Sequence, residues 1–342
     1  MAIADHLEEL KKTAKQMVVP GKGILAADES SGTIEKKFAK IGVASTEDNR
    51  RSYRGLFFTT PGFEEFISGV ILFDETLRQS AADGRTFVSI LQGVGVLPGI
   101  KVDQGTKEMD GSPNEKVTKG LEGLPERLKE YVELGAKFAK WRAVITIGDV
   151  LPTDANIRQN AKDLAAYAAL CQEAGLVPIV EPEVLMDGGH GIEACADASE
   201  RTLRAVFEEL KKAGVAPEGM ILKTNMVIPG KESGTKAAPE TIAELTTTLF
   251  ERVLPDELPG QAFLSGGQSE VEATENLNAM NKKGQFPWKL SFSYGRALQD
   301  SALKTWGGKP ENIPAAQKAF YHRAKMNSLA TLGKYTSEIE KA

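Results

Sequence analysis

Short apolar runs alternate with amphipathic helical patterns along almost the whole chain. The apolar runs are typical of buried β-strands, and they occupy eight segments, at residues 22–27, 67–74, 88–102, 138–147, 176–184, 220–226, 262–266 and 289–294. Helical patterns lie between most of them, at residues 32–41, 48–58, 121–135, 154–174, 196–213, 238–253, 268–283 and 296–306. Two further helices are predicted near the ends, over residues 1–18 and 314–331, and Gly333 ends the second.

Eight alternations of strand and helix in an uninterrupted chain predict an α/β fold, the (β/α)8 or TIM barrel. We expect a single domain over residues 1–342, with extra N- and C-terminal helices and a short polar tail from about residue 334. A doubly wound open sheet is the alternative, but it places a glycine-rich turn after its first strand. In GKGILAADES the glycines precede the strand. Helix-start signals are Asp154, Pro239, and Ser265 beside Gly266.

Lys223 interrupts the sixth apolar run, GMILKTNMVIPG. Burial disfavours the charged form of a lysine, and the neutral amine is the nucleophile that forms a Schiff base with a carbonyl substrate. The alternative is a lysine at a strand edge whose ammonium group reaches water. Other apolar runs carry charged residues as well, which favours the first interpretation. Lys223 is therefore a candidate catalytic residue.

Charged residues also occur within or just after four other strand segments. They are Asp28 with Glu29, Lys101 with Asp103, Lys140 with Arg142 and the later Asp149, and Glu181 with Glu183. In a barrel, catalytic groups come from the carboxyl ends of different strands, so these residues are predicted to face one site. Residues two apart on a strand share a face, which pairs Glu181 with Glu183 and Lys140 with Arg142. Two neighbouring carboxyl groups favour one proton donor and one fixed charge.

The last two strands end in glycine-rich turns, Ser265-Gly266-Gly267 and Gly295-Arg296, each predicted to enter a helix. Backbone amides at such turns bind anions, and barrels often hold a phosphate after strands 7 and 8. Arg296 adds a side chain that can bind a phosphate through two parallel hydrogen bonds. Tight turns also use glycine for purely steric reasons, but together the two turns favour a phosphate site.

The composition narrows the function classes. The chain has 342 residues, 41% of them hydrophobic, and a formal net charge of −5, which gives no reason to expect a nucleic-acid or membrane partner. No apolar stretch is long enough to span a membrane, and the N-terminus lacks the pattern of a signal peptide, so we expect a cytoplasmic protein. The two cysteines and three histidines have no metal-ligand spacing, and no G-x-S-x-G elbow is present. A metal or other cofactor is not expected.

In this order, nine motifs resemble class I fructose-1,6-bisphosphate aldolases over residues 5–335. They are GKGILAADES, EDNRRSYR, GVILFDETLRQ, PGIKVD, AKWRAV, VPIVEPEVL, ILKTNMVIPG, AFLSGGQS and FSYGRALQ. The resemblance implies a metal-free (β/α)8 Schiff-base lyase of glycolysis and gluconeogenesis that acts on a phosphorylated sugar. It also implies a homotetramer.

The resemblance further implies a role for each site residue. Lys223 would form the Schiff base, Glu181 would be its general acid and base with assistance from Glu183 and Lys140, and Asp28 would take the proton from the C4 hydroxyl. The phosphate nearer the ketone would be held by Ser265, Gly266, Gly295 and Arg296. The other phosphate would meet Ser30, Thr33, Lys37 and Lys101, with Arg142 nearby and Arg50 as a further substrate contact.

Three departures from the family pattern are visible. Thr224 follows the Schiff-base lysine where proline is common, and Lys37 stands where animal members commonly have arginine, a difference that bears on phosphate affinity. The tail is shorter than that of animal members and lacks a terminal tyrosine. We therefore expect residues beyond Tyr335 to be dispensable, with water or an active-site group protonating the enamine.

Two other interpretations remain open on the sequence. Another Schiff-base barrel enzyme, of the transaldolase or deoxyribose-phosphate aldolase type, would not need two phosphate clusters. A catalytically silent protein of the same fold would have no use for charged groups that are costly to bury.

Overall fold

The computed structural model describes residues 3–341, which fold around a closed barrel of eight parallel strands. The strands of the chain are β1 (Gly23–Ala27), β2 (Ile67–Leu72), β3 (Leu97–Lys101), β4 (Thr106–Met109), β5 (Ser112–Thr118), β6 (Phe138–Ile145), β7 (Val177–Val184), β8 (Ile221–Leu222), β9 (Gly260–Phe263) and β10 (Lys289–Tyr294). Around the barrel the order is β1, β10, β9, β8, β7, β6, β3 and β2, so that the first and last strands pair. The predicted (β/α)8 architecture is confirmed.

The helices surround this barrel. They are α1 (Leu7–Met17), α2 (Ser31–Ala39), α3 (Glu47–Phe58), α4 (Asp74–Arg78), α5 (Phe87–Gly93), α6 (Leu124–Glu133), α7 (Asp154–Glu173), α8 (Ile192–Lys212), α9 (Pro239–Val253), α10 (Glu270–Lys283), α11 (Arg296–Trp306), α12 (Ile313–Thr331) and α13 (Ser337–Glu340). Short 3-10 turns occupy Ile3–Asp5, Phe63–Glu65, Pro217–Gly219 and Pro310–Asn312. Within residues 3–341, no helix is both long and apolar enough to cross a membrane.

The barrel interior is apolar in its lower half. Inward-facing side chains such as Ile24, Phe138, Ile179 and Ile221 form one core cluster. Helix α1 contributes Leu10, Ala14 and Met17 to the same cluster, so it covers the end of the barrel opposite the carboxyl ends of the strands. A second, larger core lies between the outer faces of the strands and the helices. Burial on both faces explains why the strands read as continuous apolar runs.

Two predicted strands differ from those observed. The run 88–102 is partly helical, because α5 covers Phe87–Gly93 and a turn with Gly95 in the left-handed region (φ 75°) separates it from β3. The run 220–226 contains only the short strand β8. Its backbone stays bonded to both neighbours, however, since Lys223 N donates to Val180 O at 2.8 Å and Leu264 N donates to Thr224 O at 3.0 Å. The β4–β5 hairpin and α4 were not predicted.

The helix-start signals are only partly right. Pro239 is the first residue of α9, as predicted. Asp154 begins α7, but the cap is Thr153, whose hydroxyl accepts from Asn156 N. The Ser265–Gly267 turn does not enter a helix directly, because Ser269 forms a capping box and α10 begins after it.

The polar C-terminal tail is folded in part. Ser337–Glu340 form the short helix α13, and Thr336 caps it by accepting from Ile339 N. The Tyr335 side chain is buried and its backbone N donates to Asn278 Oδ1 at 3.0 Å. The segment beyond residue 334 is therefore not a free polar tail.

Candidate functional site

A cleft of about 280 Å³ opens at the carboxyl ends of the barrel strands. It is lined by Ala26, Asp28, Glu29, Ser30, Thr33, Lys37, Lys101, Lys140, Arg142, Glu181, Glu183, Lys223, Leu264, Ser265, Gly266, Ser293, Gly295 and Arg296. This set contains every residue given a catalytic or substrate-binding role from the sequence except Arg50, whereas Asp103 and Asp149, which the sequence also placed at this site, do not line the cleft. The charged residues of five strands are thus brought together, as predicted.

Strand alternation explains why these side chains meet. On β7 the inward column runs from Ile179 in the core to Glu181 and Glu183 in the cleft. On β6 the same column runs from Phe138 to Lys140 and then Arg142. Because every second residue faces inward, each strand is apolar below and charged above.

The centre of the cleft is a buried charge cluster formed by Asp28, Lys140, Glu181 and Lys223. Lys140 Nζ lies 2.6 Å from Asp28 Oδ2 and 3.3 Å from Glu181 Oε2. Lys223 Nζ lies 3.1 Å from Glu181 Oε1. Lys140 is only 4% exposed and Lys223 only 5%, so neither ammonium group is compensated by bulk water. The two cations and two anions compensate each other instead.

The cluster keeps its carboxyl groups ionised. Burial alone would raise the pKa of Asp28, but Lys140 and Lys223 overcome it and lower that pKa to about 2. Burial also opposes ionisation of Glu181, yet Lys140, Lys223 and Arg142 hold its pKa below the ordinary value. Burial disfavours the charged form of Lys140, but Asp28 and Glu181 raise its pKa above the ordinary value. These groups are therefore charged at neutral pH.

This arrangement corrects two expectations. Lys223 has apolar neighbours along the chain, which predicted apolar surroundings for its amine. The amine instead lies beside the Glu181 carboxylate. Glu181 and Glu183 do not form a proton-sharing pair either. Glu183 binds the Nε of Arg142, while Glu181 faces the two lysines. The distinction between the two carboxyl groups comes from their different cationic partners.

The outer wall of the cleft contains further ion pairs. Lys37 Nζ lies 2.5 Å from Glu29 Oε1 and donates to Gln299 Oε1 at 2.9 Å. Arg54, which is fully buried, holds the other oxygen of Glu29 at 3.1 Å. At the end of β3, Lys101 Nζ lies 2.5 Å from Asp103 Oδ1. The lysines predicted to bind the distal phosphate are therefore engaged with carboxylates in the free protein.

The two glycine-rich turns lie side by side in the cleft. Gly295 directly precedes α11, whose first residue is Arg296, as predicted. The Ser265 hydroxyl accepts from Ala297 N at 3.4 Å, which joins the turn after β9 to the first turn of α11. Gly266 and Gly295 both line the cleft, and their peptide groups can approach an anion closely.

Arg50 is not part of the cleft lining. Its guanidinium binds both carboxylate oxygens of Glu75, at 2.8 and 2.5 Å, and the carbonyl of Ser45 at 2.5 Å. Arg50 thus forms an ion pair between α3 and α4 in this structure, and its contact with substrate stays a prediction. Four cleft residues received no predicted role, namely Ala26, Glu29, Leu264 and Ser293. Glu29 carried a signal as a charge after β1, whereas Ser293 is an ordinary strand serine.

Within residues 3–341, no group of three or more His, Cys, Asp or Glu side chains is arranged to hold a metal ion. Both cysteines are buried, and burial raises the pKa of each thiol. Neither cysteine lines the cleft.

Comparison with known proteins gives consistent matches over nearly the whole chain. Residues 9–342 match the family model of fructose-bisphosphate aldolase class-I. The cytosolic fructose-bisphosphate aldolase 4 of Arabidopsis thaliana is 56% identical over 97% of this chain and 85% of its own length. A probable fructose-bisphosphate aldolase class 1 of Xanthomonas axonopodis is 52% identical over 96% of this chain and 99% of its own length. A solved fructose-bisphosphate aldolase from Plasmodium falciparum, in complex with TRAP and a small-molecule inhibitor, is 50% identical with a TM-score of 0.96, and the match covers 98% of this chain and 97% of that one.

The charge cluster predicts a pH-dependent loss of stability when Lys140 is removed. Lys140→Met leaves Asp28 and Glu181 short of one cation, and breaking a buried pair costs about 3–5 kcal/mol of unfolding free energy at pH 7. In the wild type, the low pKa of Asp28 stabilises the fold fully above about pH 5, and that contribution is lost as pH falls towards 2. In the variant, Asp28 and Glu181 can take up protons as the pH falls, which removes their uncompensated charge. The loss of unfolding free energy relative to wild type should therefore be smaller at pH 5 than at pH 7.

Denaturant unfolding at the two pH values measures this deficit. Lys36→Met is the matched control, because Lys36 lies on α2 with its side chain exposed. A Lys140→Met deficit that is below about 1 kcal/mol, or the same at both pH values, would contradict the electrostatic account.

Proposed function

The chain belongs to the class I fructose-bisphosphate aldolase family, and we propose that its buried charge cluster carries out the family's reaction with Lys223 as the Schiff-base residue. The reaction is the reversible aldol cleavage of fructose 1,6-bisphosphate to dihydroxyacetone phosphate and glyceraldehyde 3-phosphate, in glycolysis and gluconeogenesis. Family membership sets aside the transaldolase-type and deoxyribose-phosphate aldolase alternatives. The observation that supports the assignment of Lys223 is its buried amine, 3.1 Å from Glu181.

Glu181 acts first as a base and then as an acid. It takes a proton from Lys223, which leaves a neutral amine to attack the C2 ketone carbon. The resulting carbinolamine loses its hydroxyl as water when protonated Glu181 returns the proton, and an iminium ion forms. The lowered pKa means that Glu181 starts as a carboxylate in the free enzyme; it also makes Glu181 a weak base, so loss of the Lys140 contact on substrate binding must raise its basicity as well. Glu183 assists through its pair with Arg142.

The iminium is the electron sink for the cleavage. Asp28 accepts the proton of the C4 hydroxyl, the C3–C4 bond breaks, and its electron pair moves into the enamine while the aldehyde leaves. In the free enzyme the pKa of Asp28 is about 2, which makes it a weak base. We infer that Lys140 turns from Asp28 towards the substrate hydroxyls on binding. Losing that contact would raise the basicity of Asp28 to what proton transfer requires.

The two ends of the cleft are assigned to the two phosphates. Near the ketone, the amides at Gly266 and Gly295 and the side chains of Ser265 and Arg296 bind one phosphate. At the other end the second phosphate meets the hydroxyls of Ser30 and Thr33, which lie 3.1 Å apart. It also meets the cationic side chains of Lys37, Lys101 and Arg142. Because Glu29 and Asp103 already hold the two lysines, the distal phosphate must share them.

The assembly and location of the protein are proposed from the family resemblance and from its relatives. We propose a single-domain subunit, since α1 and α12 both pack on the barrel, that forms a homotetramer, as implied by the family resemblance. A cytoplasmic location agrees with the name of the Arabidopsis relative, a cytosolic aldolase. Sedimentation of the purified protein tests the subunit number; a monomer at micromolar concentration would contradict it.

The Schiff-base assignment is tested by trapping. Borohydride added together with dihydroxyacetone phosphate should reduce the imine, inactivate the enzyme and label a single peptide that contains Lys223. Peptide mass spectrometry locates the label, and Lys223→Met is the control that should take up none. Labelling at Lys101 or Lys140 would refute the assignment.

The role of Glu181 is tested by its amide. Glu181→Gln keeps the shape but cannot exchange a proton with Lys223, so turnover should fall about a hundred- to ten-thousand-fold, with a much smaller change in substrate binding. Glu183→Gln should also reduce turnover, but less, because Glu183 faces Arg142. Single-turnover kinetics separates imine formation from cleavage. Near-normal turnover of Glu181→Gln would rule out the proposed role.

The two phosphate sites are tested with two substrates. Fructose 1-phosphate carries only the ketone-side phosphate, so Arg296→Ala should raise the KM of both substrates by about tenfold or more, the cost of a lost hydrogen bond to a charged group. Lys37→Ala should raise the KM of the bisphosphate more than that of fructose 1-phosphate. Lys36→Ala, on the exposed side of the same helix, is the control. Equal losses on both substrates for Lys37→Ala would argue against a distal phosphate at this position.

A further inference from the structure

A buried arginine in the last long helix has a carboxylate of the C-terminal segment as its counter-ion. Arg323 of α12 is only 3% exposed. Its Nη1 donates to Glu340 of α13. A guanidinium this deeply buried requires an anionic partner. In the part of the chain that the structure describes, Glu340 is the carboxylate paired with it.

The other guanidinium nitrogen of Arg323 holds the first turn of α10. Nη2 donates to the Glu270 carbonyl at 3.1 Å and to Thr274 Oγ1 at 2.6 Å. Asn327 of α12 binds the same threonine, with 2.8 Å between Oδ1 and Oγ1. The start of α10 is therefore fixed to α12 by side chains that are buried.

The first turn of α10 is also joined to α11. The Glu270 carboxylate accepts from the backbone N of Ser301 at 2.9 Å and from the Ser301 hydroxyl. Ser301 lies in the same helix as Arg296, whose first turn faces the cleft. We call this set of contacts, Glu340–Arg323–Glu270–Ser301 with Thr274, the C-terminal clamp.

The C-terminal clamp is connected to the two turns that are proposed to bind the ketone-side phosphate, Ser265-Gly266 and Gly295-Arg296. Residues Ser265 and Gly266 lie just before α10, and Gln268 N donates to Ser265 O at 3.2 Å within the connecting turn. The Ser265 hydroxyl is bonded to Ala297 N of α11. The two phosphate turns thus adjoin helices α10 and α11, and Glu270 in the first turn of α10 is bonded to Ser301 in the second turn of α11. Movement of the start of α10 would displace Ser265 and Gly266 relative to Arg296.

We infer that Glu340 and Arg323 are positioning residues for the ketone-side phosphate. Glu340 keeps the buried guanidinium in place, and the guanidinium fixes the distance between the two phosphate turns. This inference rests on the proposed assignment of that phosphate to Ser265, Gly266, Gly295 and Arg296. It also replaces the expectation that residues beyond Tyr335 are dispensable, since Glu340 lies beyond Tyr335 and completes the clamp.

The test is a comparison of KM and kcat in the full-length chain. Glu340→Gln removes the charge and keeps the side-chain shape. Side chains that couple to a site without touching the ligand change binding by about three- to thirtyfold. We therefore expect the KM of fructose 1-phosphate and of the bisphosphate to rise together within that range, with kcat within about twofold, because the clamp does not contact Lys223 or Glu181. Glu340→Asp should restore part of the affinity.

Glu338→Gln is the matched control, because Glu338 lies in the same helix with its side chain exposed and is not bonded to α12. Thermal unfolding of each variant shows whether the fold is intact. A lower melting temperature with wild-type KM values for Glu340→Gln would overturn the inference and leave a purely structural clamp. If Glu340→Gln does not fold, Ser301→Ala decides, because it removes the hydroxyl contact to Glu270 while the backbone N of residue 301 still donates to that carboxylate, so the α10–α11 connection is weakened without an unpaired buried charge and KM should also rise.

Arg296→Ala separates the two possible failures. If Arg296→Ala raises the KM of both substrates and Glu340→Gln does not, the phosphate site stands and the clamp inference is wrong. If neither variant changes KM, the phosphate site itself has been assigned to the wrong residues, and the clamp inference fails with it.

Discussion

The structure of the site depends on mutual compensation of buried charges around Lys140. This lysine lies between Asp28 and Glu181, and Glu181 in turn faces Lys223. None of the four side chains could be charged at this depth without the others, because an unpaired buried ion costs several kcal/mol. The ion pairs that offset the cost of burying these four charges also set the protonation states from which catalysis starts. In the proposed mechanism each proton transfer begins or ends on a member of this cluster, from Lys223 to Glu181, from Glu181 to the departing water, and from the C4 hydroxyl to Asp28.

The barrel is what brings such a cluster together. Parallel strands deliver their inward columns to one end, so a charged residue near the end of each strand reaches the same cleft. Below the charges, the same columns are apolar and α1 seals the opposite end, which keeps water out of the base of the site. Above them, ion pairs such as Lys37 with Glu29 hold the cations that are proposed to bind phosphate. Stability and function therefore use the same strand ends.

Predictions from the sequence agree with the structure where side chains alternate between the two faces of a strand. Glu181, Glu183, Lys140 and Lys223 could be predicted to share a site because alternate residues of a strand face one way. The predictions failed where apolar content alone had to separate helix from strand, as in the run that contains α5. They also missed contacts between residues distant in sequence. Nothing local indicates that Glu75 holds Arg50, that Glu29 engages Lys37, or that Glu340 neutralises Arg323.

In the proposed mechanism, Glu181 begins as a carboxylate and receives the proton of Lys223 when the amine attacks. Infrared difference spectroscopy of the enzyme, with Glu181→Gln used to identify the bands of this residue, measures that protonation state directly. At pH 7 the free enzyme should show the carboxylate band of Glu181, and addition of dihydroxyacetone phosphate should replace it transiently with the band of a protonated acid. A protonated Glu181 in the free enzyme at pH 7 would contradict the account, because the carboxyl group could then not accept the lysine proton.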